Sequence, residues 1–215
     1  MSNPLREYFE SNDQRFIYKW EHYFDVYHRH FARFIDTQPT VLEIGVFHGG
    51  SLQMWKSYFG EGAKIVGMDI DPKCKQVEEP GIEVFIGDQS SPMDLQTLVD
   101  QIGPIDILID DGGHKTTQQI LTFETMFRHI TPNGIYLVED THAGLYPQLN
   151  LQDRPEGNFL QYTKSYIDHL HACHSGMPTN FALAVDSITY YDSIFLIEKA
   201  PKDPPVTCES GKILL

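Results

Sequence analysis

The sequence predicts an α/β fold: a doubly wound, mostly parallel seven-stranded sheet with an antiparallel C-terminal strand and an N-terminal helical extension. Three observations carry this. Between residues 40 and 139, short runs of β-branched residues alternate with segments of helical periodicity. The first run opens directly into a glycine-rich turn. Beyond residue 180, two apolar runs flank Tyr191 and Asp192 and read as a closing antiparallel pair.

In chain order, Phe16, Trp20, Phe24, Tyr27, Phe31 and Phe34 recur every three or four residues. That spacing predicts one long aromatic helix, packed on the body of the domain or contributing to a subunit interface or a lid. Residues 40–45 read as the first strand and 51–58 as a helix; 64–69 and 82–86 are the next two strands. Residues 93–102 are helical and 105–110 form the fourth strand. Ile120, Phe123, Phe127 and Ile130 mark a helix over about 116–130, which Pro132-Asn133-Gly134 breaks before a fifth strand at 135–139. Residues 141–157 read as a polar loop and 159–173 as a helix; 181–190 and 193–198 are the last strands. The implied division is an extension at 1–38, a domain at 39–200 and a proline-containing tail at 201–215.

Composition excludes several classes of function. The 215 residues include 41% hydrophobic and 21% charged residues, which suits a globular rather than a disordered chain. The 16 Lys+Arg against 30 Asp+Glu give a formal net charge of −14. This argues against nucleic acid and against anionic membranes as partners. No apolar run approaches the ~20 residues of a spanning helix. The first ten residues lack the apolar core of a secretory signal. Cys74, Cys173 and Cys208 are widely spaced and predict no disulfide framework, so a reducing, cytoplasmic compartment is expected.

The first turn reads Glu43-Ile-Gly45-Val-Phe-His-Gly49-Gly50-Ser51. Its glycines permit close backbone approach to a ligand, and the following helix offers free amides. The G-x-G-x-x-G spacing of dinucleotide-binding loops is missing. Asp69 ends the second strand, where an acid suits bidentate bonding to ribose hydroxyls. Asp88 and Gln89 follow the third strand and suit an adenine edge. The fourth strand runs into Asp110-Asp111-Gly-Gly-His114 and the fifth into Glu139-Asp140-Thr-His142. Neighbouring parallel strands would bring these acids together, and such a cluster calls for a cation, best a hard divalent one such as Mg²⁺. His114 lies within reach as a general base. His169, His171, Cys173 and His174 have ligand chemistry, but their spacing matches no common zinc site.

These residues resemble a class I S-adenosylmethionine-dependent methyltransferase, which is Rossmann-like, over residues 40–200. Asp110 to His114, Val138 to His142, and Ser187-Ile-Thr-Tyr-Tyr-Asp-Ser-Ile are similar to the metal-dependent sugar O-methyltransferases of macrolide pathways (the mycinamicin type). The resemblance implies Mg²⁺ held by Asp111, Glu139 and Asp140, His114 as general base, and Asp110 near the methionine end of S-adenosylmethionine. It further implies cofactor contacts at Glu43, Gly45, Gly49, Ser51, Asp69, Asp88 and Gln89; His142 and Tyr146, just beyond the fifth strand, are the weaker substrate candidates. Those macrolide enzymes carry an additional N-terminal domain, whereas the residues ahead of the domain here read as a helical extension. Gly113 stands where the family usually has Ser.

The expected activity is methylation of a sugar or polyol hydroxyl on a small glycosylated natural product, with a catechol-like diol the lesser alternative. The rivals are an NAD(P)-dependent oxidoreductase, a non-catalytic nucleoside-binding protein and an acid/histidine metallohydrolase. The aromatic N-terminal face admits a homo-oligomer, although packing within one chain explains the same pattern.

Overall fold

A computed structural model describes residues 3–146 and 157–212. β1 (Thr40–Ile44), β2 (Lys64–Asp69), β3 (Ile82–Ile86), β4 (Ile105–Asp110), β5 (Ile130–Val138), β6 (Val185–Tyr191) and β7 (Ile194–Lys199) form one sheet, ordered β3-β2-β1-β4-β5-β7-β6. The first five pair in parallel, and β7 runs antiparallel to both β5 and β6. The strand order reverses between β1 and β4, the position where open α/β sheets hold ligands at the carboxyl ends of their strands.

Register creates that place. Ile44 lies beside Asp110, and Asp110 lies beside Val138. The chain therefore leaves the sheet side by side at Gly45, Asp111 and Glu139. The ladder continues one step further, with Asp111 N donating to Ile44 O and Glu139 N to Asp110 O, each at 2.9 Å.

Strand alternation sends side chains into two apolar layers. Val41, Ile65, Ile107, Ile109 and Leu137 face a layer built by Trp55 and Phe59 of α3 (Gly50–Phe59) and by the N-terminal residues Leu5, Phe24, Tyr27 and Phe31. Leu42, Val66, Leu108 and Tyr136 face the other layer. It contains Leu95 and Leu98 of α4 (Pro92–Ile102), Phe123 of α5 (Thr116–Met126) and Phe159 of α6 (Phe159–Leu170).

The N-terminal aromatic stretch is not one helix. A helix at Pro4–Ser11 ends in a turn at Asn12, whose side chain accepts from Gln14 N and donates to Arg15 O. A second helix begins only at Tyr23 and runs to Phe31. Between them the chain is an extended strap. Phe16, Tyr18 and Trp20 are exposed and alternate with buried Ile17 and the buried side chain of Lys19, a period of two. The aromatic spacing fits a helix only because Phe24, Tyr27 and Phe31 do lie on one.

Other boundaries differ as well: β5 begins at Ile130, with Pro132, Asn133 and Gly134 inside it, and the helix expected over 159–173 ends at Leu170. The helix expected to reach residue 130 stops at Met126, and Ile130 already belongs to β5. Residues 181–184 are helical, because Thr179 caps a short helix at Asn180–Ala184 by accepting from Ala182 N. The C-terminal hairpin turns at Asp192 and Ser193, with Ser193 at φ +64°. Of the loop expected at 141–157, Thr141–Leu145 form a short 3-10 helix and residues 147–156 lie outside the described residues, as do the last three residues of the tail.

The strap crosses the start of α3 at contact distance. A Cβ on Gly50 would stand 2.3 Å from Phe16 O and 2.6 Å from Arg15 O. Gly50→Ala should therefore lift the strap, and faster tryptic cleavage after Arg15 and Lys19 in limited proteolysis is the expected readout.

Candidate active site

A cavity of about 470 Å³ opens at the carboxyl ends of β1, β2, β3 and β4. Gly45, Asp69, Asp88, Gln89, Asp111, His114 and Asp140 are among its lining residues. Gly45 has φ +96°, and a Cβ there would lie 2.0 Å from the Asp111 carbonyl oxygen, so the two loops touch where only glycine fits. Asp69 accepts from Val46 N (2.8 Å), Phe47 N (3.2 Å) and Asp71 N (2.9 Å). Burial alone would raise its pKa. The Asp71, Val46 and Phe47 amides reverse this and hold the carboxyl below its ordinary range. It can thus shape the turn while facing the cavity as an acceptor.

Gln89 is committed to the wall. Its amide donates to Asp110 Oδ1 at 2.5 Å and accepts from Gly113 N at 3.1 Å. Four expected cofactor contacts do not line the cavity. Glu43 is fully buried and accepts from Ser51 Oγ at 2.6 Å. Gly49 has φ +72° at the start of α3 and abuts Val77. Asp110 is buried, with Oδ2 lacking any partner among the described residues. Strand parity explains the acids: Glu43 follows Val41 onto the N-terminal layer, and Asp110 follows Leu108 onto the opposite one.

The same parity sends Glu139, two residues after Leu137, to the face of Glu43. There the structure supplies a residue that sequence reasoning missed. Lys19 Nζ sits 2.6 Å from Asp111 Oδ2, 2.8 Å from Glu139 Oε2 and 3.2 Å from Glu43 Oε1, with its side chain 3% exposed. Tyr27 donates to Glu139 Oε1 at 2.6 Å. Burial alone would lower the pKa of Lys19. Asp111, Glu139 and Glu43 outweigh it and hold the ammonium charged, well above its ordinary value. Burial pushes Glu43 and Glu139 up, and Lys19 works against both. The available signal was the alternation of Phe16, Tyr18 and Trp20 with Ile17 and Lys19.

The carboxylates expected to share a metal are therefore differently engaged. Glu139 has both oxygens on Lys19. Asp140 Oδ1 accepts from Tyr23 at 2.6 Å. Asp111 Oδ1 and Asp140 Oδ2 accept no hydrogen bond among the described residues, and His114 Nε2 stands 4.0 Å from the first and 3.7 Å from the second. Two free carboxylate oxygens beside an imidazole fit a hard divalent cation. His114 Nδ1 is buried without a partner among the described residues. Phe47, His114 and Asp140 all adopt positive φ, between +50° and +55°. For such residues this costs about 1–3 kcal/mol each and clusters at functional sites.

His142 Nδ1 lies 2.8 Å from Ser193 Oγ, and its ring meets Trp20 at 5.9 Å and Tyr146 at 5.7 Å. Trp20 also lines a small cavity with Asp111, Glu139 and Asp140. The His169 ring packs on Tyr166 and Phe181, and among the described residues no metal-like group forms there.

A methyltransferase-domain family matches residues 42–141. The chain is 36% identical over 192 residues to the 8-demethyl-8-alpha-L-rhamnosyl tetracenomycin-C 2'-O-methyltransferase of Streptomyces olivaceus, covering 82% of this chain and 50% of that protein. It is 37% identical over 164 residues to the mycinamicin VI 2''-O-methyltransferase of Micromonospora griseorubida, covering 72% and 40%. It superposes on the MycE methyltransferase of mycinamycin biosynthesis, solved with Mg, SAH and mycinamycin VI, at a TM-score of 0.78 and 30% identity, covering 93% of this chain and 53% of that one. The chain thus spans about half the length of the relatives it matches, or less.

Burial raises the Asp110 carboxyl from 3.8 to about 7. A folded carboxyl that keeps its proton to higher pH than an unfolded one costs stability as pH rises through that window. Relative to Asp110→Asn, the unaltered chain should lose about 1.4 kcal/mol per pH unit between pH ~4 and 7 and nothing further above it, measured by urea denaturation across pH.

Proposed function

The chain carries a methyltransferase domain, and from that premise we propose that it transfers the methyl group of S-adenosylmethionine to a sugar hydroxyl on a glycosylated natural product, with Mg²⁺ and with His114 as general base. The observation that carries this reading is the position of His114 Nε2 beside two carboxylate oxygens that accept no hydrogen bond among the described residues, in a cavity that Asp69 and Asp88 also line. The named activities of the relatives support the reaction class and the sugar acceptor.

Asp69 serves the ribose hydroxyls and Asp88 the adenine edge. S-adenosylmethionine, when bound, supplies a sulfonium methyl to an attacking oxygen. Mg²⁺, when bound, supplies the positive charge that lowers the pKa of an acceptor hydroxyl. Asp111 and Asp140 would hold it, with Glu139, bonded to Lys19 through both oxygens, beside them. His114 Nε2 takes the acceptor's proton. The exposed rings of Tyr18, Trp20 and Tyr146 offer apolar faces to the sugar and its aglycone. Much of the rate comes from holding acceptor, base and methyl in line.

In this account residues 1–38 belong to the working unit, because the strap lines the cavity through Tyr18 and reaches the acid cluster through Lys19. The catalytic unit is 39–200 with that extension packed on it, and 201–215 is a tail.

With a panel of rhamnosylated and macrolide acceptors, His114→Ala should lower kcat by about 10²–10⁴-fold. Calorimetric affinity for S-adenosylhomocysteine should stay within about twofold. Undiminished turnover would remove His114 from the reaction, and turnover that survives exhaustive chelation would remove the cation.

A further inference from the structure

The acidic edge contains two adjoining groups of potential cation ligands that share Asp111. One is Asp111, His114 and Asp140; the other is Glu43, Asp111 and Glu139. The ammonium of Lys19 already stands in the second group, bonded to all three of its carboxylates at 2.6–3.2 Å. Ile17 and Tyr23, both buried, pin the strap on either side of it. We propose that Lys19 is a built-in second cation: it fills the Glu43 position permanently, holds Asp111 and Glu139 in place, and leaves one divalent ion to bind at Asp111 and Asp140. This deepens the function proposed above and rests on its divalent-cation reading.

Geometry explains why a tethered cation suits this position. Glu43 and Glu139 are fully buried, so an exchangeable ion there would have to shed all its water each time it entered. Lysine brings a compact point charge with three donors, and here three carboxylates accept from it. Asp111 is the hinge between the two positions. Its Oδ2 is committed to Lys19, which turns Oδ1 toward His114.

The test counts bound ions. Mn²⁺ titrations followed by electron paramagnetic resonance should give one tight ion per unaltered chain and two for Lys19→Met, because the vacated carboxylates then take an ion of their own. Mn²⁺ should also raise the Tm of Lys19→Met more than that of the unaltered chain. An equal count in both proteins would overturn the inference. The increment between the two proteins tests Lys19, and the count in the unaltered chain tests the cation reading. No ion in the unaltered chain with one in Lys19→Met would sink only the latter. Should Lys19→Met fail to fold, ¹⁵N spectra of the unaltered chain still decide. The solvent-protected Lys19 ammonium signal should persist at saturating Mg²⁺, and its loss would overturn the inference.

Discussion

The organising constraint of this molecule is the meeting of acidic strand ends at one point of the sheet. β1, β4 and β5 leave the sheet in register, and the residues at or beside those exits include Glu43, Asp111, Glu139 and Asp140. Unpaired carboxylates cannot be buried in contact without a heavy cost. The fold meets that cost with Lys19, carried in by a strap that belongs to neither flanking helix. The N-terminal segment is thereby tied to the sheet by charge as well as by Leu5, Ile17, Phe24 and Phe31 in the apolar layer.

The same arrangement shapes the cavity. Tyr23 and Tyr27, one helical turn apart, donate to Asp140 and Glu139, so the second N-terminal helix and the strap fix neighbouring acids from one side. Gln89 fixes the other side by bridging Asp110 and Gly113. Phe47, His114 and Asp140, which all line the cavity, are held at positive φ. Such strain persists only where the surrounding bonds over-determine the backbone.

Much of this was legible in the sequence. The five parallel strands announce themselves as short β-branched runs, and β2, β3 and β4 begin and end where the pattern places them. Asp69, Asp88, His114 and the paired acids stand at strand ends, which is where such folds keep their chemistry. What stayed hidden depends on direction rather than position. Glu43 and Asp110 have the right address, but strand parity turns them away from the cavity onto opposite layers. Lys19 was concealed because Phe16 and Trp20 extend the helical spacing of Phe24 and Phe31, which masks the two-residue alternation that carries it inward. A long-range ion pair spanning 120 residues, from Lys19 to Glu139, has no local signature at all.

Everything in the account turns on how the acidic edge divides its cations. The direct measurement is a crystal structure of the chain with Mn²⁺ and S-adenosylhomocysteine, with the ion located by its anomalous signal. A single peak is expected on Asp111 and Asp140 beside His114, with the nucleoside against Asp69 and Lys19 Nζ still bonded to Glu139. A peak inside the Glu43–Asp111–Glu139 group, with Lys19 expelled, would contradict it.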